Sequence, residues 1–204
     1  MLDRFPHIAK EVQLRLDELR REPRDKRATD NPHNYVNGLI DLIDAVKPNS
    51  VLEIGCHEGV STEVFLLKVP RVVAVDYWPD LLWTGRREYA NGWPWETPWE
   101  IFQARCFKYP NLEICKGKSP AALHQFADGE FDLVYIDAAH DFQSVLADIC
   151  AALRIVKADG AIAGHDHWMA PVSEAVAAQL KVTPQVFGDT SWLVRMADVK
   201  APSL

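Results

Sequence analysis

Two acids and three histidines near the ends of apolar runs are the residues in this chain best suited to chemistry. Asp137 ends the run Leu133–Ile136, and His165-Asp166-His167 follows the run Ala161–Gly164. Two carboxylates and one imidazole at adjacent strand ends can hold a cation. Hard oxygen ligands suit Mg²⁺, and an imidazole brings Mn²⁺ or another transition metal into range. The metal reading names Asp137, Asp166 and His167, with His165 as an alternative ligand or a supporting partner. The rival reading is that Asp137 caps the next helix or contacts a cofactor amine. His140 lies three residues after Asp137. It can take a proton from a hydroxyl near neutral pH, or simply cap the helix that follows.

A second group of residues points to a nucleotide-type ligand. The apolar run Val51–Ile54 leads into Gly55-Cys56-His57-Glu58-Gly59 and then into the amphipathic stretch Val60–Lys68. This reads as a strand, a tight turn and a helix start. Gly55 lets the backbone turn without a Cβ clash, and Gly59 is read as allowing close approach to a ligand. The dinucleotide fingerprint G-x-G-x-x-G is absent, because His57 holds the middle position. Asp76 ends the next apolar run, about twenty residues on, where a carboxylate can accept ribose hydroxyls. The tripeptide Gly117-Lys118-Ser119 is not a phosphate loop, because the earlier glycine of that motif is missing.

These residues need a scaffold, and the patterning supplies one. Helices are expected at Ile8–Arg21, Tyr35–Val46, Ser61–Leu67, Ala121–Phe126, Phe142–Val156 (stopping near Asp159-Gly160) and Val172–Leu180. Strands are expected at Val51–Ile54, Arg71–Val75, Leu112–Cys115, Leu133–Ile136 and Ala161–Gly164. A hairpin of Gln185–Phe187 and Trp192–Met196 closes the chain around Gly188-Asp189-Thr190. The alternation predicts an α/β fold with a doubly wound, mostly parallel seven-stranded sheet and an antiparallel terminal hairpin. In such sheets ligands bind beyond the carboxyl ends of the strands, where Gly55, Asp76, Ser119, Asp137 and Asp166 all fall. Residues 1–33 read as an N-terminal helix and linker, and residues 34–204 as the main domain. An insertion at 77–111 carries Trp78, Trp83, Trp93, Trp95 and Trp99. It is either a lid over the ligand rim or a satellite core.

Composition narrows the partners. The formal charge of -7 and the lack of a dense Lys/Arg cluster argue against nucleic acid. No apolar run approaches a membrane span, and Met1–Lys10 has no signal-peptide core. Cys56, Cys106, Cys115 and Cys150 show no C-x-x-C spacing, as expected of buried thiols in a reduced, cytoplasmic protein. The apolar stripe of Ile8–Arg21 fits its own domain or a second subunit, so a homodimer stays open.

Five motifs in order carry a resemblance. They are Glu53-x-Gly55-x-x-x-Gly59-x-Ser61, Asp76, Gly117–Ser119, Tyr135–His140 and Gly160–Asp166. Over about residues 34–196 the chain resembles class I S-adenosylmethionine-dependent methyltransferases, in the metal-dependent O-methyltransferase branch related to catechol O-methyltransferase. The segments Tyr135–His140 and Gly160–Asp166 look closest to bacterial enzymes of sugar pathways. The resemblance implies cofactor contacts at Glu53, Gly55, Cys56, His57, Gly59, Ser61, Asp76, Tyr77, Lys118, Ser119 and Asp137. It implies S-adenosylmethionine as cofactor, Mg²⁺ or Mn²⁺ on Asp137, Asp166 and His167, and His140 as general base where relatives have lysine or histidine. The acceptor would be a small hydroxylated molecule, a sugar unit or a diol. His167 departs from the amide or carboxylate usual at the third ligand position. A cofactor-binding protein without transferase chemistry is the alternative. A nicotinamide oxidoreductase is disfavoured by the missing glycine.

Overall fold

The run Val72–Val75 carries no polar side chain, so neither of its faces can be left in water. In the computed structural model, which describes residues 6–22, 36–78 and 97–199, that run and its counterparts form one seven-stranded sheet. The strands are β1 (Ser50–Ile54), β2 (Arg71–Asp76), β3 (Leu112–Lys116), β4 (Phe131–Ile136), β5 (Val156–Gly164), β6 (Gln185–Val186) and β7 (Trp192–Arg195). Their spatial order is β3-β2-β1-β4-β5-β7-β6. β1 to β5 run parallel, β7 pairs antiparallel with β5, and β6 pairs antiparallel with β7. The expected doubly wound sheet with its terminal hairpin is present. Strand order reverses about β1, so a crevice opens beyond the ends of β1 and β4.

Alternate residues of each strand feed two cores. Val51, Val72, Ala74, Leu133 and Tyr135 meet α1 (Pro6–Leu19), α2 (Asn37–Val46), α3 (Val60–Lys68) and α4 (Pro98–Cys106) on one face. Leu52, Val73, Val134 and Ile162 meet α5 (Phe142–Ile155) and α6 (Ala170–Leu180) on the other. Each fully buried aliphatic side chain contributes about 1.5–3 kcal/mol. Leu16 and Leu19 place α1 in the first core. Cys56, Cys106 and Cys115 are buried, Cys150 is exposed, and all four are free thiols.

A polar hub fastens α1 to α3 and α4. The Glu63 side chain is fully buried at 0% exposure. It accepts from Arg15 at 2.7 and 3.0 Å, from Arg105 at 3.0 Å and from the Tyr109 hydroxyl at 2.8 Å. Lys108 approaches to 3.4 Å. Burial alone would push its carboxyl up. The hydrogen bonds from Arg15 and Tyr109 outweigh burial and hold it at about 2.

Three expectations are corrected. The insertion contains α4, which was not foreseen. Thr97 caps it in a reciprocal box with Glu100, and Pro98 opens the first turn. The long helix α5 ends at Ile155, within one residue of its expected end, but passes straight into β5, which begins at Val156 instead of Ala161. Val156 pairs with Phe131 and Ala161 with Leu133, so Asp159-Gly160 sits within an irregular stretch of strand. The segment Ala121–Gln125 is a 3-10 helix. Within the insertion, Trp78 packs on Phe102 at 4.6 Å and on Trp99 at 4.8 Å between ring centres. At 3% exposed, Trp78 belongs with Phe102 to the first core, and Trp99 packs against it. Trp83, Trp93 and Trp95 lie outside the described residues. No helix among the described residues is long and apolar enough to cross a membrane.

Candidate active site

Just beyond the strands, the backbone ladder continues for one more residue. The Gly55 N–H donates to the Val75 carbonyl at 2.9 Å, Asp137 N–H to the Ile54 carbonyl at 2.8 Å and His165 N–H to the Ile136 carbonyl at 3.1 Å. This ladder holds the rim rigidly. Gly55 has φ +88°, and a Cβ there would collide with the Asp137 backbone. Its glycine therefore serves both the turn and the close approach of β1 to β4. Gly59 was read as making room for a ligand. Instead a Cβ at Gly59, where φ is +79°, would lie 2.7 Å from Cys106 Sγ and 2.8 Å from Phe102. Gly59 caps α3 and packs against α4.

Asp76 ties the turn together. Its Oδ2 accepts the N–H groups of Cys56 and His57, both at 2.8 Å, and its Oδ1 accepts the Trp78 N–H at 3.1 Å. The Trp78 indole N–H donates to the His57 carbonyl at 2.8 Å. This clamp helps hold His57 in the left-handed region, φ +47°. Oδ1 keeps a lone pair for a ligand hydroxyl.

The eleven residues read as cofactor contacts divide by exposure. Gly55, His57, Asp76, Tyr77, Lys118, Ser119 and Asp137 reach the surface at least in part, while Glu53, Cys56, Gly59 and Ser61 are buried. Glu53 accepts a hydrogen bond from the Thr62 hydroxyl beneath the turn. The Cys56 thiol points to the carbonyls of Glu53 and Val75, and burial, followed by the nearby Glu53 and Asp76, pushes its pKa well up. The side chains of Glu53 and Cys56 therefore shape the turn from below.

The ends of β4 and β5 bring together Asp137, His140 and Asp166, with one ligand atom from each within 4.8 Å of the others. His140 Nε2 lies 2.9 Å from Asp166 Oδ2 and 3.9 Å from Asp137 Oδ1. Asp137, then Asp166, raises the His140 pKa to about 10. Burial would push the Asp166 carboxyl up, but bonds from His140 and His165 hold it well below the usual range. Asp166 adopts φ +57°. Its Oδ1 accepts the Trp168 indole N–H at 3.0 Å and lies 3.2 Å from His165 Nδ1.

The structure changes the membership of the expected triad. Asp137 and Asp166 lie together, but the imidazole beside them belongs to His140. His167, expected as the third ligand, is not part of the group among the described residues. Its backbone N–H donates to the Thr190 carbonyl at 3.2 Å, and burial lowers its pKa. Asp141, not His140, caps α5, accepting the Ser144 N–H at 3.0 Å. The two carboxylates in this space fit a hard or borderline divalent cation, with the His140 imidazole beside them.

Sequence reading missed Trp168 and Asp148. The Asp148 carboxyl is buried on α5 against Ser119, and burial pushes it up to about 6. It braces the turn Gly117–Ser119 from below. Nothing in the local pattern marks it, since Asp148 sits on the apolar face of its own helix.

Residues 52–167 match the family described as Methyltransferase domain. No curated protein matches the chain in sequence. Several solved structures share its fold. The methyltransferase PaMTH1 of Podospora anserina, bound to S-adenosylhomocysteine, is 16% identical, covers 90% of this chain and 86% of its own, and has a TM-score of 0.58. Cofactor-bound Rv0187 from MTB is 19% identical over 91% of this chain and 87% of its own, with a TM-score of 0.55. An O-methyltransferase from Bacillus cereus, solved with S-adenosylhomocysteine, is 18% identical over 92% and 89%, with a TM-score of 0.52.

Proposed function

The chain belongs to the methyltransferase-domain family, as a class I S-adenosylmethionine-dependent methyltransferase, and from that premise we propose that it methylates a hydroxyl oxygen of a small acceptor, a sugar unit or a diol, assisted by Mg²⁺ or Mn²⁺. The observation that carries this reading is the Asp137–His140–Asp166 cluster, set just beyond the ends of β4 and β5 and beside the glycine turn.

Bound S-adenosylmethionine supplies an electrophilic methyl group on sulfur. Asp76 orients the turn amides and offers Oδ1 to the ribose. Exposed Tyr77, half-exposed Ser119 and exposed Lys118 form the adenine side. A cation on Asp137 and Asp166 would supply a positive centre that lowers a hydroxyl pKa. Asp137 and Asp166 both face His140 and favour its protonated form. A cation that balanced their charge would weaken that preference and let Nε2 accept the hydroxyl proton, as a general base must. The rigid rim holds the two reactants in line, and alignment supplies most of the acceleration.

The test is a calorimetric titration with S-adenosylmethionine and S-adenosylhomocysteine, with and without Mg²⁺ or Mn²⁺, followed by a hydroxylated acceptor panel. Micromolar cofactor binding and metal-stimulated transfer to oxygen are expected. Cofactor binding with transfer only to nitrogen or carbon would overturn the O-methylation reading. No cofactor binding under any metal condition would overturn the site itself.

A further inference from the structure

Trp168 is a large aromatic side chain that the fold leaves in water. It is 63% exposed, more than any other exposed large apolar residue described. It follows β5 by four residues and precedes α6 by two, at the mouth of the acid cluster. One exposed tryptophan is unremarkable on its own. Its tether is what sets this one apart. The indole N–H donates to Asp166 Oδ1 at 3.0 Å. Asp166 in turn faces His140 at 2.9 Å through Oδ2. The ring edge is thus fixed to a carboxylate of the reacting cluster, while most of its surface remains open to solvent.

The tether has two consequences. It holds the indole edge against one carboxylate oxygen and so limits how the ring can turn. It also sets an apolar wall next to a strongly polar centre. A ligand whose hydroxyls reach Asp137, His140 and Asp166 would bring the rest of its body against the indole. The π-face attracts C–H groups and other rings and is a poor match for flexible polar chains. We propose that Trp168 is an acceptor-selecting residue, a stacking wall that favours ring molecules with adjacent hydroxyls over acyclic diols. The proposal rests on the O-methyltransferase reading above and deepens it by naming the acceptor shape.

Catechol and a methyl mannopyranoside serve as ring diols, and butane-2,3-diol as the acyclic control. Methyl transfer from S-adenosylmethionine is measured for the natural protein, Trp168→Ala and Trp168→Phe, with S-adenosylhomocysteine affinity as a control on the cofactor site. Trp168→Ala should raise KM for the ring diols by about five- to tenfold, with kcat changed by less than about threefold. KM for butane-2,3-diol and cofactor affinity should stay put. Trp168→Phe keeps a ring but loses the N–H. It should restore ring-diol KM to within about twofold, separating stacking from the hydrogen bond to Asp166. Unchanged ring-diol KM in Trp168→Ala, or an equal rise for butane-2,3-diol, overturns the stacking wall and leaves the transferase reading intact. A natural protein that binds S-adenosylhomocysteine yet methylates none of the three probes overturns both.

Discussion

The molecule holds two concentrations of charge that differ in balance. Around Glu63, one buried carboxylate meets Arg15, Arg105, Lys108 and the Tyr109 hydroxyl. At the rim, Asp137 and Asp166 face His140, and Asp166 also meets His165 and the Trp168 indole. The first is saturated with donors and joins three helices, so it is a fastening. The second gathers acids and imidazoles at the ends of two rigid strands, partly open to solvent. Clustered titratable groups at such a rim mark a candidate functional site. The kind of partner, guanidinium at one and imidazole at the other, separates the fastening from the candidate site.

Four substitutions would break or sharpen that contrast. Asp166→Asn removes a rim acid without changing its shape. Methyl transfer should fall by about 1000-fold, while the unfolding midpoint moves little. A collapse of stability instead would make the rim a fastening too. Glu63→Gln should do the reverse. It leaves two guanidinium groups facing a neutral amide and should cost about 3 kcal/mol in denaturant unfolding, with cofactor affinity preserved at low temperature. Its sign with pH follows from a folded carboxyl held at about 2 against an ordinary 4.5. Stability from Glu63 is complete above pH 4.5 and is lost as pH falls toward 2, so an acid titration of natural and variant proteins should converge there. His140→Ala should lower kcat by about 100-fold with little change in S-adenosylmethionine affinity, and unchanged turnover would remove the proposed base. The smallest effect is expected at Asp148. Its carboxyl is raised from 3.8 to about 6, so ionisation costs stability that is absent below 3.8 and complete above about 6. Asp148→Asn should therefore gain about 1 kcal/mol at pH 7 and nothing at pH 3.5, read as thermal midpoints.

Much of this was legible in the chain because polar residues punctuate apolar strands. Asp76, Asp137 and Asp166 mark the rim simply by ending runs that cannot tolerate them inside. The acid pair followed from that reading, but its imidazole did not. His140 and His167 are equally placed in sequence, and only the turn after β4 decides which ring reaches the carboxylates. The helix α4 announced itself through Thr97-Pro98-Trp99-Glu100, a capping box overlooked amid tryptophans. The passage from α5 to β5 misled because Asp159-Gly160 looks like punctuation and is instead an irregularity inside a strand. The Glu63 hub was beyond reach of local pattern. Its partners lie 48 residues before it and 42 and 46 residues after it, and helix packing alone brings them together.

The hub also bears on anyone who would shorten this chain. Cutting before the end of α1 would remove Arg15 from a buried acid and strip Leu16 and Leu19 from the first core. The damage would not stay at the cut. Glu63 lies one turn into the helix that Gly59 caps, and Gly59 leans on Phe102 and Cys106 of α4. A truncated protein would be expected to carry its weakness to the glycine turn, which makes this helix a poor place to trim for expression.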